Sequence, residues 1–217
     1  MELGGREGER AGAVSSEIKA VVFDVGNVLY RWDPRFLFEK LIPDPQERDW
    51  FLDNVVTLDW HVQHDAGRPL AAMVAERSAE FPDHASLIQA YVDRWLETIP
   101  GPVPGVHALV DALAERGAPL FAITNFGIEF WEMFRPTAPV IDRFADIVIS
   151  GEEKMVKPDP AIYRLARERF GLEPGTAIFI DDREENVRAS EDEGFVGHHF
   201  RDAETLAQAL QNEGLLN

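Results

Sequence analysis

The stretch Ala20-Val21-Val22-Phe23-Asp24-Val25-Gly26-Asn27-Val28-Leu29 constrains this chain more than any other. It opens with four apolar residues without alternation, the pattern of a strand buried on both faces, as in a parallel sheet between helices. The run then meets a carboxylate, Asp24, at the strand's carboxyl end, where open α/β sheets place their chemistry. Asp also favours turns, so Asp24 taken alone marks a strand end as readily as a site.

A chain of 217 residues has room for one large domain, or a domain with an insertion, and for an ample core. Its 39 acidic and 21 basic residues give a net charge of -18, which disfavours a nucleic-acid partner and favours solubility. No apolar stretch approaches the roughly 20 residues of a membrane helix, so no membrane partner is expected. The absence of cysteine excludes disulfides and thiolate chemistry. Residues 1–17 are rich in Gly, Glu and Arg and lack the apolar segment of a signal peptide. They read as a disordered tail, and a cytoplasmic location is expected.

After Leu29 the strand pattern stops and helical periodicity takes over. Leu70, Met73, Val74 and Phe81 keep one helix face, and so do Leu87, Ile88, Tyr91, Val92 and Trp95. Residues 34–99 contain no buried-strand run and read as a helical insertion, closed by the Pro/Gly-rich stretch from Pro100 to Gly105. From Val106 the rhythm is helix, strand, helix, strand. Val106, Leu109, Val110 and Leu113 mark a helix that Gly117 can end; Ile162, Leu165, Ala166 and Phe170 mark another, closed by Gly171. Buried strands are expected at Leu120–Ile123, Ile147–Ile149 and Ala177–Ile180, a weaker one between Gly194 and Phe200, and a last helix from about Asp202 to Leu210. Strands alternating with helices make a doubly wound parallel α/β sheet.

Three of these strands end in oxygen-bearing side chains: Asp24, Thr124-Asn125 and Asp181-Asp182. Parallel strands put their carboxyl ends on one edge, so these groups converge. Carboxylates facing each other repel unless a cation sits between them, and carboxylate and carbonyl oxygens suit magnesium. Lys157, in a loop before a helix, can reach the same edge. A divalent cation, a lysine, a hydroxyl and backbone amides at a helix start together describe a phosphate site.

These residues also carry a family resemblance over about residues 18–210. The chain resembles the haloacid dehalogenase superfamily of hydrolases, whose motifs are filled in order by Phe23-Asp24-Val25-Gly26-Asn27-Val28, Ile123-Thr124-Asn125, Lys157-Pro158, and Ile180-Asp181-Asp182 through Asn186. Within it, Asp-x-Gly-Asn-Val with Asp-Asp-x-x-x-Asn resembles phosphatases of small sugar phosphates. The resemblance implies a Rossmann-like core of residues 18–33 and 100–217 with a helical cap at 34–99. It implies Asp24 as the nucleophile that forms an aspartyl-phosphate, and Asp24, the Gly26 carbonyl and Asp182 as ligands of Mg2+. Asp181 and Asn186 stand behind them as orienting groups, while Thr124, the Asn125 backbone and Lys157 bind the phosphoryl oxygens. The implied partner is a small-molecule phosphate ester.

The departure is Gly26, where most phosphatases of the superfamily carry a second Asp that serves as general acid, a role worth about 100- to 10,000-fold. Asp33 and His64 are the sequence candidates to replace it. A haloacid dehalogenase is the alternative enzyme, set against the acidic Asp181-Asp182 pair; a catalytically weak phosphate-binding protein is the alternative of another class. In the helical insertion, Trp60, His64 and Arg68 are the candidates to face a substrate, while Trp131, Phe134 and Tyr163 read as packing residues.

Overall fold

The computed structural model describes residues 17–217, so the expected tail falls outside the described residues except for Glu17. The core is a five-stranded parallel sheet built from β1 (Ala20–Phe23), β4 (Leu120–Thr124), β5 (Asp146–Ile149), β6 (Ala177–Asp181) and β7 (Val196–His199), in the order β5-β4-β1-β6-β7. Two short strands, β2 (Tyr30–Arg31) and β3 (Gly101–Pro102), form a separate antiparallel ribbon.

The unbroken apolar runs have the expected cause. Val21 and Phe23 point into one apolar cluster with Val110 and Leu113 of α6 (Val106–Glu115) and Leu206 and Leu210 of α11 (Ala203–Asn212). Ala20 and Val22 point into the other, with Ile162, Tyr163 and Ala166 of α9 (Pro160–Phe170). A strand covered on both sides must be apolar at successive positions. α9 is closed by Gly171 in the left-handed region at φ 65°, and Asp159 caps its start by accepting from the Ala161 amide at 2.9 Å.

Connections leave β1 toward β4 and β5 on one side, and run from β6 to β7 on the other. The order therefore reverses between β1 and β6, the place where doubly wound sheets open a crevice at their strand ends. Three helices follow strand ends at that edge: α7 (Ile128–Phe134), α8 (Ser150–Glu153) and α10 (Glu184–Asp192).

Between β2 and β3 the chain is helical, as expected for residues 34–99: α1 (Arg35–Leu41), α2 (Pro45–Asn54), α3 (Leu58–Asp65), α4 (Leu70–Glu80) and α5 (Ala85–Asp93). Trp95 lies beyond α5, in a single 3₁₀ turn at Trp95–Thr98. The ribbon is the surprise: Tyr30 and Arg31 continue as a strand paired with Pro102 and Gly101, so departure and return of the helical segment are tied together. Two-residue strands carry no periodicity to read. The helical segment shares one apolar cluster with the sheet, joined where Trp95 stacks on Phe130 of α7 with ring centroids 4.4 Å apart. Among the described residues no helix is long and apolar enough to cross a membrane.

Candidate active site

The sheet delivers its strand ends to one cavity of about 410 Å³, lined among others by Asp24, Gly26, Asn125, Lys157, Asp182 and Asn186. Six of the eight residues singled out from the sequence thus share one wall. Thr124 and Asp181 are fully buried and do not line it.

Lys157 is the hub. Its ammonium lies 2.9 Å from Asp24 Oδ1 and donates to Asp181 Oδ2 at 2.7 Å. The loop that carries it is clamped by the Asn125 side chain, which accepts from the Lys157 amide at 2.8 Å and donates to its carbonyl at 3.0 Å. Asp181 commits its other oxygen to the Arg183 amide and to Asn186 Nδ2, both at 2.9 Å. Asn186 is held in turn from behind, its carbonyl accepting from the Tyr163 hydroxyl at 2.9 Å. Tyr163 is a packing residue, as expected, with that added duty.

Burial dominates the electrostatics. It pushes the Asp24 carboxyl up to about 7, against the pull of Lys157 and with repulsion from Asp181 and Asp182 added. The Asp182 carboxyl is raised by burial and then by Asp181. For Lys157, burial alone lowers the ammonium, but the Asp181 and Asp24 carboxylates outweigh it and hold the pKa above the usual lysine value. Three carboxylates therefore face one ammonium. One oxygen from each of Asp24, Asp181 and Asp182 falls within a 4.8 Å cluster. An excess of buried carboxylate oxygens is the donor set of a hard divalent cation, so these residues fit a metal of magnesium's kind. Thr124 Oγ1 is buried without a hydrogen-bond partner, and so is Asn186 Oδ1. Polar atoms of this kind are costly unless a ligand or water completes them.

Gly26 lines the cavity, and a Cβ built on it meets nothing within 4 Å. The backbone there is ordinary; the left-handed residue is its neighbour Asn27, at φ 55°, whose side chain accepts from the Trp32 amide at 2.9 Å.

The far wall of the cavity departs from the sequence expectation. Leu58, His61, Val62 and Asp65 of α3 line it, not Trp60, His64 or Arg68. Trp60 turns inward and is buried near Tyr91. His64 is buried edge-on to Phe130, its Nδ1 3.0 Å from the Arg68 carbonyl. Arg68 pairs with Gln63 and Glu76 on the surface. Asp33 does not line the cavity either, and its carboxylate accepts from the Arg35 amide. Of the other two aromatics assigned to packing beside Tyr163, Trp131 is buried away from the cavity, whereas Phe134 is buried and also lines it. The signal that finds the right face is the spacing 58, 61, 62, 65, one stripe of a helix beginning at the Thr57 cap, whose hydroxyl accepts from the Trp60 amide at 3.0 Å. Trp32, Trp95, Phe126 and Arg183 also line it, without any such signal.

Residues 18–194 match the family model described as haloacid dehalogenase-like hydrolase. Among curated proteins, the chain is 25% identical over 205 residues to a sesquiterpene phosphatase of Aspergillus oryzae, covering 89% of this chain and 95% of the relative. It is 24% identical to an N-acetylmuramic acid 6-phosphate phosphatase of Pseudomonas aeruginosa, over 82% of this chain and 79% of the relative. Among solved structures, a magnesium complex of a haloacid dehalogenase family enzyme from Bacteroides thetaiotaomicron superposes with a TM-score of 0.70 at 20% identity, over 90% of this chain and all (100%) of that one. The L-2-haloacid dehalogenase of Xanthobacter autotrophicus reaches 0.60 at 17% identity, over 92% of this chain and 85% of that one. These last two likenesses speak for the fold. The family match, spanning most of the chain and all four motifs, settles membership: this protein belongs to the haloacid dehalogenase-like hydrolases.

Proposed function

We propose that the protein is a magnesium-dependent phosphatase of a small phosphorylated metabolite and works through an aspartyl-phosphate. The observation that carries this reading is the placement of Asp24: a cavity-lining carboxylate at the end of the central strand, held against Lys157 and flanked by two further carboxylates. In this reading an Asp24 oxygen attacks phosphorus, the bond from phosphorus to the ester oxygen breaks, and the alcohol departs with a proton taken from solvent. Water then cleaves the acyl phosphate, returning the Asp24 carboxylate and inorganic phosphate. Lys157 offsets charge on the phosphoryl oxygens, and the buried Thr124 hydroxyl supplies a hydrogen bond where it now has no partner.

Asp24, the Gly26 carbonyl and Asp182 would hold the magnesium, which when bound neutralises phosphoryl charge. Asp181, with both oxygens engaged by Lys157, Arg183 and Asn186, acts by orienting Lys157 and Asn186. Residues 34–99 serve as the cap, contributing the α3 wall that faces the reacting edge. The resemblance to sugar-phosphate phosphatases and the phosphatase names of the curated relatives support the reaction class.

Purified protein is expected to hydrolyse an aryl phosphate in magnesium and to lose that activity in chelator, leaving a haloacid untouched. Asp24→Asn is expected to reduce turnover to background while preserving the fold, because an amide is a poor nucleophile. Asp182→Ala is expected to recover partly in excess magnesium. Halide release without metal would assign the chain to the dehalogenases instead. Phosphate binding without turnover would make it a binding protein.

A further inference from the structure

The phosphoryl end of the cavity is charged, whereas the rest of the wall is mostly apolar, with Asp65 and Arg183 its charged members. Trp32, Leu58, Val62, Trp95, Phe126 and Phe134 supply most of it, and Leu58 stays exposed. An organic group that leaves water for such a wall gains in proportion to its apolar area. A hydroxyl placed against it without a partner loses about tenfold in binding. A hexose carries several hydroxyls, and away from the strand ends the wall offers few groups to receive them.

Three of those groups are conspicuous, one of them the Trp95 indole, whose Nε1 is buried without a hydrogen-bond partner. Asp65 is 4% exposed, lines the cavity, and its Oδ1 is buried with no hydrogen-bond partner. Its other oxygen lies 3.5 Å from His61 Nε2. Trp32 lines the same cavity, and its indole Nε1 is likewise buried and unpartnered. Asp65 and Trp32 are both held by His61, whose ring stacks on Trp32 at 4.8 Å and whose Nδ1 lies 2.9 Å from the Tyr91 hydroxyl. The helix end carrying Asp65 is pinned too, its carbonyl accepting from Ser150 Oγ at 2.6 Å. A carboxylate oxygen asks for a donor and an indole N–H asks for an acceptor. A hydroxyl, which both donates and accepts, can answer either.

We infer that the ester's organic part is a largely apolar aryl or alkenyl group bearing few hydroxyls, one of which Asp65 and Trp32 bind at the apolar part of the wall. This rests on the phosphatase reading and narrows it away from polyhydroxylated sugars. His61, with both ring nitrogens facing partners, is a positioning residue for that pair.

The test compares kcat/KM in saturating magnesium for geranyl phosphate, its terminally hydroxylated analogue and a hexose phosphate. The hydroxylated alkenyl ester is expected to exceed the hexose phosphate by about 100-fold, the loss from two unpaired hydroxyls. Asp65→Ala is expected to cut the ratio of hydroxylated to plain geranyl ester about tenfold, and Trp32→Phe, which keeps the stacking ring, to cut it less. A hexose phosphate turned over as well as either alkenyl ester overturns the inference and leaves the phosphatase reading standing, as does a ratio unmoved in both variants. If no ester is turned over at all, the phosphatase reading fails. Calorimetric binding of hydroxylated geraniol against the free hexose then decides the inference by itself, and a preference for the hexose overturns it.

Discussion

The two ends of the cavity are made of different materials. At the strand ends, Asp24, Asp181 and Lys157 form a buried cluster, with half-buried Asp182 beside it, held by ion pairs and charge-assisted hydrogen bonds. Across from it, α3, Trp32 and the Trp95 turn present rings and aliphatic groups, with one Asp65 carboxylate oxygen and the indole N–H groups of Trp32 and Trp95 left unpartnered. The charged end hangs on β1, β4 and β6, whose register is set by the sheet. The apolar end hangs on helices joined to the sheet by aromatic packing such as Trp95 on Phe130. Such a division suits an enzyme whose chemistry stays fixed while its recognition varies: ion pairs on strands hold geometry, and a helix face can exchange side chains without moving the backbone.

The sharpest way to break this division is to ask whether the apolar end takes part in the chemistry. In the proposed mechanism Gly26 stands where the family resemblance implies an acid for the leaving oxygen, so turnover is expected to fall steeply as the leaving group becomes more basic. The span from aryl to primary alkyl phosphates should approach the roughly 100- to 10,000-fold that a positioned acid supplies. Gly26→Asp should flatten the slope, because the new Cβ meets nothing within 4 Å and faces the cavity. A leaving-group series at saturating magnesium, run on both proteins, measures this. A flat slope in the wild type would move proton donation to the helical wall, where His61 lines the cavity, and His61→Gln should then steepen it.

A second effect, about 3–5 kcal/mol, separates the two ends by their response to metal. Lys157→Met leaves the buried Asp24 and Asp181 carboxylates facing each other without their shared cation. Trp95→Ala removes a buried ring from the wall and should cost a similar amount, about 3–5 kcal/mol, by opening a cavity. Urea unfolding of each variant, with magnesium and with chelator, compares them. Magnesium should restore part of the Lys157→Met loss and none of the Trp95→Ala loss. Equal restoration of both would mean that the metal acts on the whole fold, and the two ends would not be separable.

The same contrast explains what the sequence makes legible. β1, β4, β5 and β6 are readable because a strand covered on both faces has to be apolar at successive positions, and their last residues then name the charged end. Lys157 is readable only in the company of Asp24 and Asp181, since its pairing spans 24 residues to Asp181. The opposite wall is hidden for a physical reason. Trp32, Trp95, Phe126 and Phe134 are aromatic whether they pack a core or line a cavity, and Phe134 does both. On α3, Trp60 and His64 are no less bulky or polar than Leu58 and His61; only the phase of the helix against Phe130 decides which stripe faces the cavity. Composition carries no record of that phase.

The smallest effect is one of sign. Burial raises the Asp24 carboxyl from 3.8 to about 7, so the folded state holds that proton more tightly than the unfolded chain. The stability it contributes is complete below the unfolded value and is lost as pH rises through about 7. Burial holds the His61 imidazole below its ordinary 6.5, against the nearby Asp65, so the folded state resists the proton that the unfolded chain accepts. That contribution is present above 6.5 and is lost as pH falls below it. Each slope is bounded at about 1.4 kcal/mol per pH unit for one proton. Unfolding free energies measured in chelator, from about pH 5 to about pH 8, isolate the two through their variants. The stability of Asp24→Asn relative to wild type should climb as pH rises through about 7. That of His61→Gln relative to wild type should climb as pH falls below 6.5. Opposed curves mean that the charged end and the apolar end each bury a titrating group of opposite sign. Two curves running the same way would show that a shared relaxation of the cavity, and not the burial of either group at its own end, sets the response.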